Sequence, residues 1–373
     1  MNKKSFAIFI VAVVIVGGVY FLKKDPSDVV APSPSTESVK IGWVGPLTGE
    51  LANLGKDTLA STQIAVDEVN VAGGINGRKI ELVTEDGKCN AKDGSVAANK
   101  LINVDKVAVM LAMCSPEVNT AADMANTNKV VVLSSCASAP NVTDAGDYIF
   151  RTYPSDSFQG VYAANYAYNT LGKRKVAILA MQNDWGLGLE KVFKQKFESL
   201  GGQVVVLEEF YQESRDLRSQ ITKVKSSDAE MIYFPAFTES ALAGLKQIKE
   251  LGVNLPILGG DAWDDPKIHT GDFAQGVFFV TPQVNFNNAW KTKMIAKGAG
   301  TTVCAPSAYD NVKILADIIA RVGDNGEKIK SELYKVKDYA GVNGNITIDQ
   351  NGDLATAAYD VKKVENKKAE IVK

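Results

Sequence analysis

The sequence predicts an α/β protein made of two doubly wound parallel-sheet lobes, preceded by an N-terminal membrane helix. Three observations carry that prediction. The chain has 373 residues, long for a single hydrophobic core and suited to about two domains. From Val39 onward, short apolar strands alternate with amphipathic helices four times in succession, the pattern of a parallel sheet covered on both faces. After "YIFRTYPSDSFQG" (148–160) the alternation restarts with new residues at similar spacing.

The first residues obey different rules. Lys3 and Lys4 precede "FAIFIVAVVIVGGVYFL", an uncharged apolar run of 17 residues from Phe6 to Leu22. As a helix rising about 1.5 Å per residue, it lies at the short end of what spans a bilayer. No Ala-x-Ala site follows promptly, and Val29-Val30-Ala31 is followed by Pro32. Residues 1–24 are therefore expected to be an uncleaved anchor, the alternative being a cleaved signal peptide. Cysteine is absent before Cys89, which excludes attachment through a lipid-modified cysteine near the N-terminus. Residues 25–38, rich in Pro and Ser, form a linker.

The elements follow in order. "VKIGWVG" is a strand, and "GKDTLASTQIAVDEVN" is a helix whose Leu59, Ile64, Ala65, Val66 and Val69 recur near helical spacing. "GGINGRK" is a turn before the strand "IELVTE". Helix 93–103, strand 107–113, a helix from Pro116 with proline in its first turn, and strand 130–133 complete the first set. The second set opens with "KVAILA" and a helix closed by Gly201-Gly202. It continues through "QVVVLEE", helix 217–226, "EMIYFPA", helix 239–251 and "LPILGG". The tail, "ITIDQNGDLATAAYDVKKVEN", is expected to form a β-hairpin around Asn351-Gly352.

Composition excludes several function classes. The 41 basic and 43 acidic residues nearly cancel, and no basic stripe with interleaved aromatics offers a nucleic-acid surface. With His269 as the one histidine, histidine-based metal or triad chemistry has no material. No G-x-S-x-G, P-loop, H-E-x-x-H or dinucleotide fingerprint occurs, and "GLGLEK" is only a G-x-G fragment. The expected class is a binding protein without catalysis or cofactor.

Two strands end in small, hydroxyl-rich turns, each with a cysteine: "LAMCSPEVN" (111–119) and "LSSCASAP" (133–140). Such turns free N–H and O–H groups for an anion. Ser115 opens a helix whose N-terminus adds partial positive charge. Ordinary caps use the same residues.

The stretch "IGWVGPLTGELANLGKDTLASTQIAVDEVNVAGGINGRKIELVTEDGKCN" (41–90) resembles the opening of periplasmic leucine/isoleucine/valine-binding proteins, the solute receptors of ABC importers. The Gly-Pro-Leu-Thr-Gly turn and Asn-x-x-Gly-Gly-Ile-Asn-Gly carry most of that resemblance, which extends from Val39 to the tail. It implies two lobes joined by three crossovers with ligand in the cleft between them. On that plan lobe 1 spans 39–154 plus 284–341, and lobe 2 spans 155–283 plus 342–373.

The resemblance also assigns candidate ligand-binding residues. Ser115 and the Ala137-Ser138 pair would grip an amino-acid head group. The Ala137 carbonyl would take the ammonium, and the Ser138 hydroxyl and N–H the carboxylate. Asp261 in "ILGGDAWDD" would supply the counter-charge to the ammonium, with Asp264 and Asp265 as alternatives. Trp185 and Phe237 would close the cleft, Leu54 and Met113 would line it, and Tyr309 would lie near the hinge. A phenyl ring at Phe237, without a hydroxyl, favours an aliphatic ligand side chain. Cys89 and Cys114 would form a disulfide closing about 25 residues, worth about 3 kcal/mol in the chain-entropy account. Cys136 and Cys304 are expected to be buried thiols, the alternative being a second bridge across the base of the cleft. A disulfide needs an oxidising compartment, so the lobes are expected outside the membrane, in the periplasm or at the cell surface. The expected function is capture of an L-amino acid, branched-chain or otherwise aliphatic, with permease and ATPase subunits as partners. The alternatives are a membrane-tethered sensor ectodomain, or a receptor for an amide or aromatic acid.

Overall fold

Strand β1 (Val39–Gly45) pairs in parallel with β2 (Ile80–Asp86) on one side and β3 (Val109–Ala112) on the other in a computed structural model, which describes residues 37–372. Strands β4 (Val131–Ser134) and β5 (Ile149–Arg151) extend this first sheet to the order β2-β1-β3-β4-β5, parallel throughout. Helices α1 (Ala52–Val71), α2 (Ala91–Asn99) and α3 (Ser115–Asn128) connect its strands. Both faces are covered. Ile41 and Trp43 enter one core cluster with Ala65 of α1, while Val44 enters another with Ala98 and Val118. Near-continuous burial along β1 follows from this double cover. The expected helix 93–103 divides into α2, capped by Asn90 accepting from the Asp93 N–H, and a single π-turn over Lys100–Val104.

The second sheet begins after α4 (Asp156–Asn165) with β6 (Lys175–Met181). Helix α5 (Asp184–Ser199), β7 (Gln203–Phe210), α6 (Arg218–Lys225), β8 (Met231–Tyr233), α7 (Thr238–Glu250), β9 (Ile257–Gly259), α8 (Pro266–His269) and β10 (Phe278–Pro282) continue it. Then α9 (Asn288–Ala296), α10 (Ala305–Val322) and α11 (Gly326–Leu333) lead to the small hairpin β11 (Tyr339–Gly341) and β12 (Gly344–Ile346). Helix α10 lies along α1, where the Ser61 hydroxyl donates to the Ala305 carbonyl at 2.6 Å. The chain therefore passes between the lobes three times: 151–156, 282–288 and 354–359.

The last passage falls later than expected. Ile346 and Ile348 sit in the first lobe's core, and the Arg151 N–H donates to the Gly352 carbonyl at 2.9 Å. Residues 342–354 thus belong with the first lobe. The Asn351-Gly352 turn is real, with Gly352 at φ +83°, but it closes only the single bridge Ile348–Leu354. It docks on β5 instead of starting a ladder. The tail's true hairpin is β13 (Tyr359–Glu365) with β14 (Lys368–Ile371). It turns at Asn366 and Lys367, whose φ values of 50° and 61° suit a type I′ turn. Strand β13 pairs antiparallel with β10, giving the second sheet the order β14-β13-β10-β9-β8-β6-β7. The second lobe is therefore mixed, not wholly parallel.

No helix among the described residues is long and apolar enough to cross a membrane. The expected membrane helix and most of the linker lie outside the described residues.

Candidate functional site

Strands β3, β4, β6, β8 and β9 all point their carboxyl ends at one cavity between the two sheets, where open α/β sheets bind ligands. Its volume, taken as the space a water's centre can occupy, is ≈ 30 Å³, and one water needs about 10–15 Å³ of such space. The space left between the lobes here is small.

Each wall is built by a strand end. From β3 come Met113, Cys114 and Ser115; from the loop after β4 come Cys136 and Ser138. Leu51 and Leu54 reach in from the start of α1. The second lobe gives Trp185 at the start of α5, Phe237 before α7, and Asp261 after β9. Trp185 and Phe237 stack with ring centroids 4.9 Å apart, so the apolar wall is itself pre-packed. Of the residues expected from the sequence, Leu54, Met113, Ser115, Ser138, Trp185, Phe237 and Asp261 meet in this cavity.

Two do not. Ala137 is fully buried behind the wall, where its N–H donates to Ser134 Oγ at 2.9 Å and its carbonyl accepts from Arg151 Nη1 at 3.3 Å. Tyr309 faces away along α1: its hydroxyl donates to Glu68 at 2.6 Å, and Lys293 and Lys313 lie over its ring. The stripe of α10 that packs on α1 carries Tyr309 off the cleft.

The cysteines bear one expectation out and overturn another. Cys89 and Cys114 are disulfide-bonded, Cα atoms 5.4 Å apart. Glu117 clamps this bridge, accepting from the Cys114 N–H at 2.9 Å and the Cys89 N–H at 3.1 Å. Burial pushes its carboxyl up to about 7, against the pull of those bonds. Cys136 and Cys304 are not free thiols. They form a second disulfide, Cα atoms 5.3 Å apart, and both line the cavity. The pair is separated by 168 residues, and only the return of α10 to the first lobe brings them together.

Asp261 is the carboxylate at the cavity wall. It is 5% exposed, and the Tyr153 hydroxyl donates to its Oδ2 at 2.6 Å. Burial pushes its carboxyl up, and the bonds from Tyr153, Gln159 and Trp185 pull it back. Asp264 and Asp265 are engaged elsewhere. Asp264 pairs with Lys362 at 2.8 Å, while Asp265 caps α8 and accepts from Thr238. On the first-lobe side, the Ser115 and Ser138 amides find no acceptor among the described residues. The Ser138 hydroxyl donates to Asp156 Oδ2 at 2.9 Å. With that proton engaged, the hydroxyl keeps acceptor capacity, where a donor was expected. Asp156, Gln159, Tyr153 and Val303 escaped the sequence reading; "TYPSDSFQG" has the look of a plain turn and helix cap. Among the described residues no group of His, Cys, Asp and Glu is arranged to hold a metal ion.

Comparison with known proteins agrees with this architecture. Residues 38–369 match a family described as periplasmic binding protein. A leucine-, isoleucine-, valine-, threonine- and alanine-binding protein of Pseudomonas aeruginosa is 27% identical, over 88% of this chain and 90% of its own. The crystal structure of a leucine-binding protein from Thermotoga maritima superposes with a TM-score of 0.83 at 28% identity, over 90% of this chain and 98% of the other. A branched-chain amino acid transporter substrate-binding protein from Streptococcus pneumoniae, solved with isoleucine, gives 0.80 at 27% identity, over 90% and 99%. With its two α/β lobes, its cleft at the strands' carboxyl ends and a match over nearly all of its described length, the chain belongs to the periplasmic binding protein family.

Proposed function

We propose that the chain is the extracytoplasmic solute-binding receptor of an ABC importer and captures an aliphatic L-amino acid. The observation that supports this most is the division of the cavity's polar groups. A buried carboxylate, Asp261, stands on one lobe; unpartnered amides of Ser115 and Ser138 stand on the other. A zwitterion needs both. Its ammonium requires an anion once removed from water, and its carboxylate requires several N–H donors. The partial positive charge at the start of α3 adds to the Ser115 amide. The Ser138 hydroxyl oxygen accepts from the ammonium, while its amide serves the carboxylate.

Beyond the head group the walls are apolar: Leu51, Leu54, Met113, Trp185, Phe237 and Val303. A side chain that brings a hydroxyl or charge there finds no partner. The branched-chain specificity carried by the names of the relatives fits this apolar wall. A plain aromatic acid leaves Asp261 without a cation. Phe6–Leu22 tethers the receptor to the membrane, and separate permease and ATPase subunits receive the ligand.

Titration calorimetry of the full chain with the twenty L-amino acids tests the assignment. Leucine, isoleucine or valine is expected to bind and to raise the melting temperature by mass action. Heat from benzoate or an amide, with none from any amino acid, would transfer the assignment to that ligand class.

A further inference from the structure

Behind the head-group site runs a buried polar relay that joins the lobes. Asp156, first residue of α4, follows the first passage between them. Its N–H donates to the Ser138 carbonyl at 2.7 Å, and its Oδ2 accepts from the Ser138 hydroxyl at 2.9 Å. Its Oδ1 accepts from Gln159 Nε2 at 2.8 Å, and Gln159 Oε1 in turn accepts from the Asp261 N–H at 2.9 Å. Asp156 is 0% exposed, Gln159 1% and Asp261 5%. One glutamine thus links the Asp156 carboxyl to the main chain of Asp261 in a dry space.

Among the described residues, nothing around the pair balances both charges. Arg151 is the cation that faces Asp156, but it grips Asp353 in two bonds of 2.7 and 2.8 Å. The other titratable groups facing the pair are phenols: Tyr153, Tyr233 and Tyr359. All three are pushed well above 10, chiefly by burial, and stay neutral. Two like charges held in low dielectric without a counter-ion do not both ionise; they titrate as a unit. Burial raises the Asp156 carboxyl first, and repulsion from Asp261 adds to it.

We propose that Asp156 is a second counter-charge of the head-group site: in the empty receptor it shares one proton with Asp261, and the ligand's ammonium displaces that proton into solvent. The two carboxyl groups then keep one positive partner throughout, a proton before binding and the ammonium after it, while the ligand's own carboxylate is met by the amides of Ser115 and Ser138. Asp156 acts here as a positioning residue. It reaches the ligand through Ser138, whose hydroxyl it holds as an acceptor, and through Gln159, which sets the turn carrying Asp261. The proposal rests on the amino-acid function above and makes a separate claim about protons.

Calorimetry of the full chain with L-leucine at pH 6, in buffers of different ionisation enthalpy, counts protons released. Wild type is expected to release up to one, with affinity tightening by up to about tenfold per pH unit. Asp156→Asn, which keeps the side chain's shape, is expected to bind leucine with a flat pH profile and little release. An infrared band from a protonated carboxyl, present in the free wild-type protein and lost with leucine, reads the same event without a variant. Leucine binding with buffer-independent heats and no change in that band overturns the proton claim and leaves the amino-acid function standing. No binding of any amino acid at any pH overturns both.

Discussion

The two lobes share a winding plan and bring different chemistry to it. The first lobe lines the cavity with small residues, Ser115 and Ser138, on loops held by two disulfides and Glu117. The second lines it with bulk and charge: the stacked Trp185 and Phe237, and Asp261. Backbone donors have no rotamers, so their accuracy depends on fixing the loop that carries them. Rings and a carboxylate lose side-chain freedom instead, and their neighbours supply the restraint. Trp185 packs on Phe237, and Asp261 receives Tyr153. The same cavity wall is thus made rigid by covalent bonds on one side and by packing on the other.

Removing charge from the second lobe is expected to have the largest effect. Asp261→Ala leaves a buried ammonium without its partner, costing about 3–5 kcal/mol of binding. The des-amino analogue of leucine lacks that cation, so wild type should reject it strongly and Asp261→Ala far less. Affinities of both ligands for both proteins form a double-mutant cycle. A coupling energy near zero would place the ammonium elsewhere.

Loosening the first lobe comes next. Replacing Cys89 and Cys114 by serine frees a 25-residue loop and should cost about 3 kcal/mol of stability. Urea denaturation reads the loss. Leucine affinity should fall as well, because Ser115 follows directly on Cys114. An unchanged midpoint would mean that the bridge does not restrain this turn.

The smallest effect is a slope with pH. The Glu117 carboxyl, raised by burial from 4.5 to about 7, holds its proton more tightly in the folded state. Its contribution to stability is therefore fully present below pH 4.5 and is lost as pH rises through about 7. Glu117→Gln should flatten melting temperature against pH over that window. Asp310, also raised to about 7 by burial, keeps part of the slope. A variant with the wild-type slope would assign all of it to other groups.

Local patterns in the sequence carried the strand–helix alternation, the placement of Ser115, Ser138, Trp185, Phe237 and Asp261 at strand ends, and, with the family resemblance, the Cys89–Cys114 bridge. What escaped depends on partners far away in the chain. Tyr309 looks like a hinge aromatic until Glu68 draws it along α1. Cys136 looks like a lone thiol until α10 brings Cys304 back beside it. Asp156 reads as an ordinary first-turn acid. Its importance comes from Ser138 and, through Gln159, from Asp261, which is 102 residues from Gln159. The tail's Asn-Gly turn was visible, but which strand it would join was not, because β5 and β10 lie in different lobes.

The docking of that turn on β5 has a consequence for how copies of the protein live together. An unpaired sheet margin is a template on which another chain can add its own strand. The first sheet's margin at β5 is covered where the Arg151 N–H meets Gly352. Among the described residues, the other outer strands of the two large sheets bear charge: Glu81, Glu85 and Asp86 on β2, Glu208 and Glu209 on β7, Lys368 and Glu370 on β14. Neighbouring molecules therefore meet side chains that must give up water before their backbones can pair. A crowded population of these molecules can stay separate and resist growing into fibres.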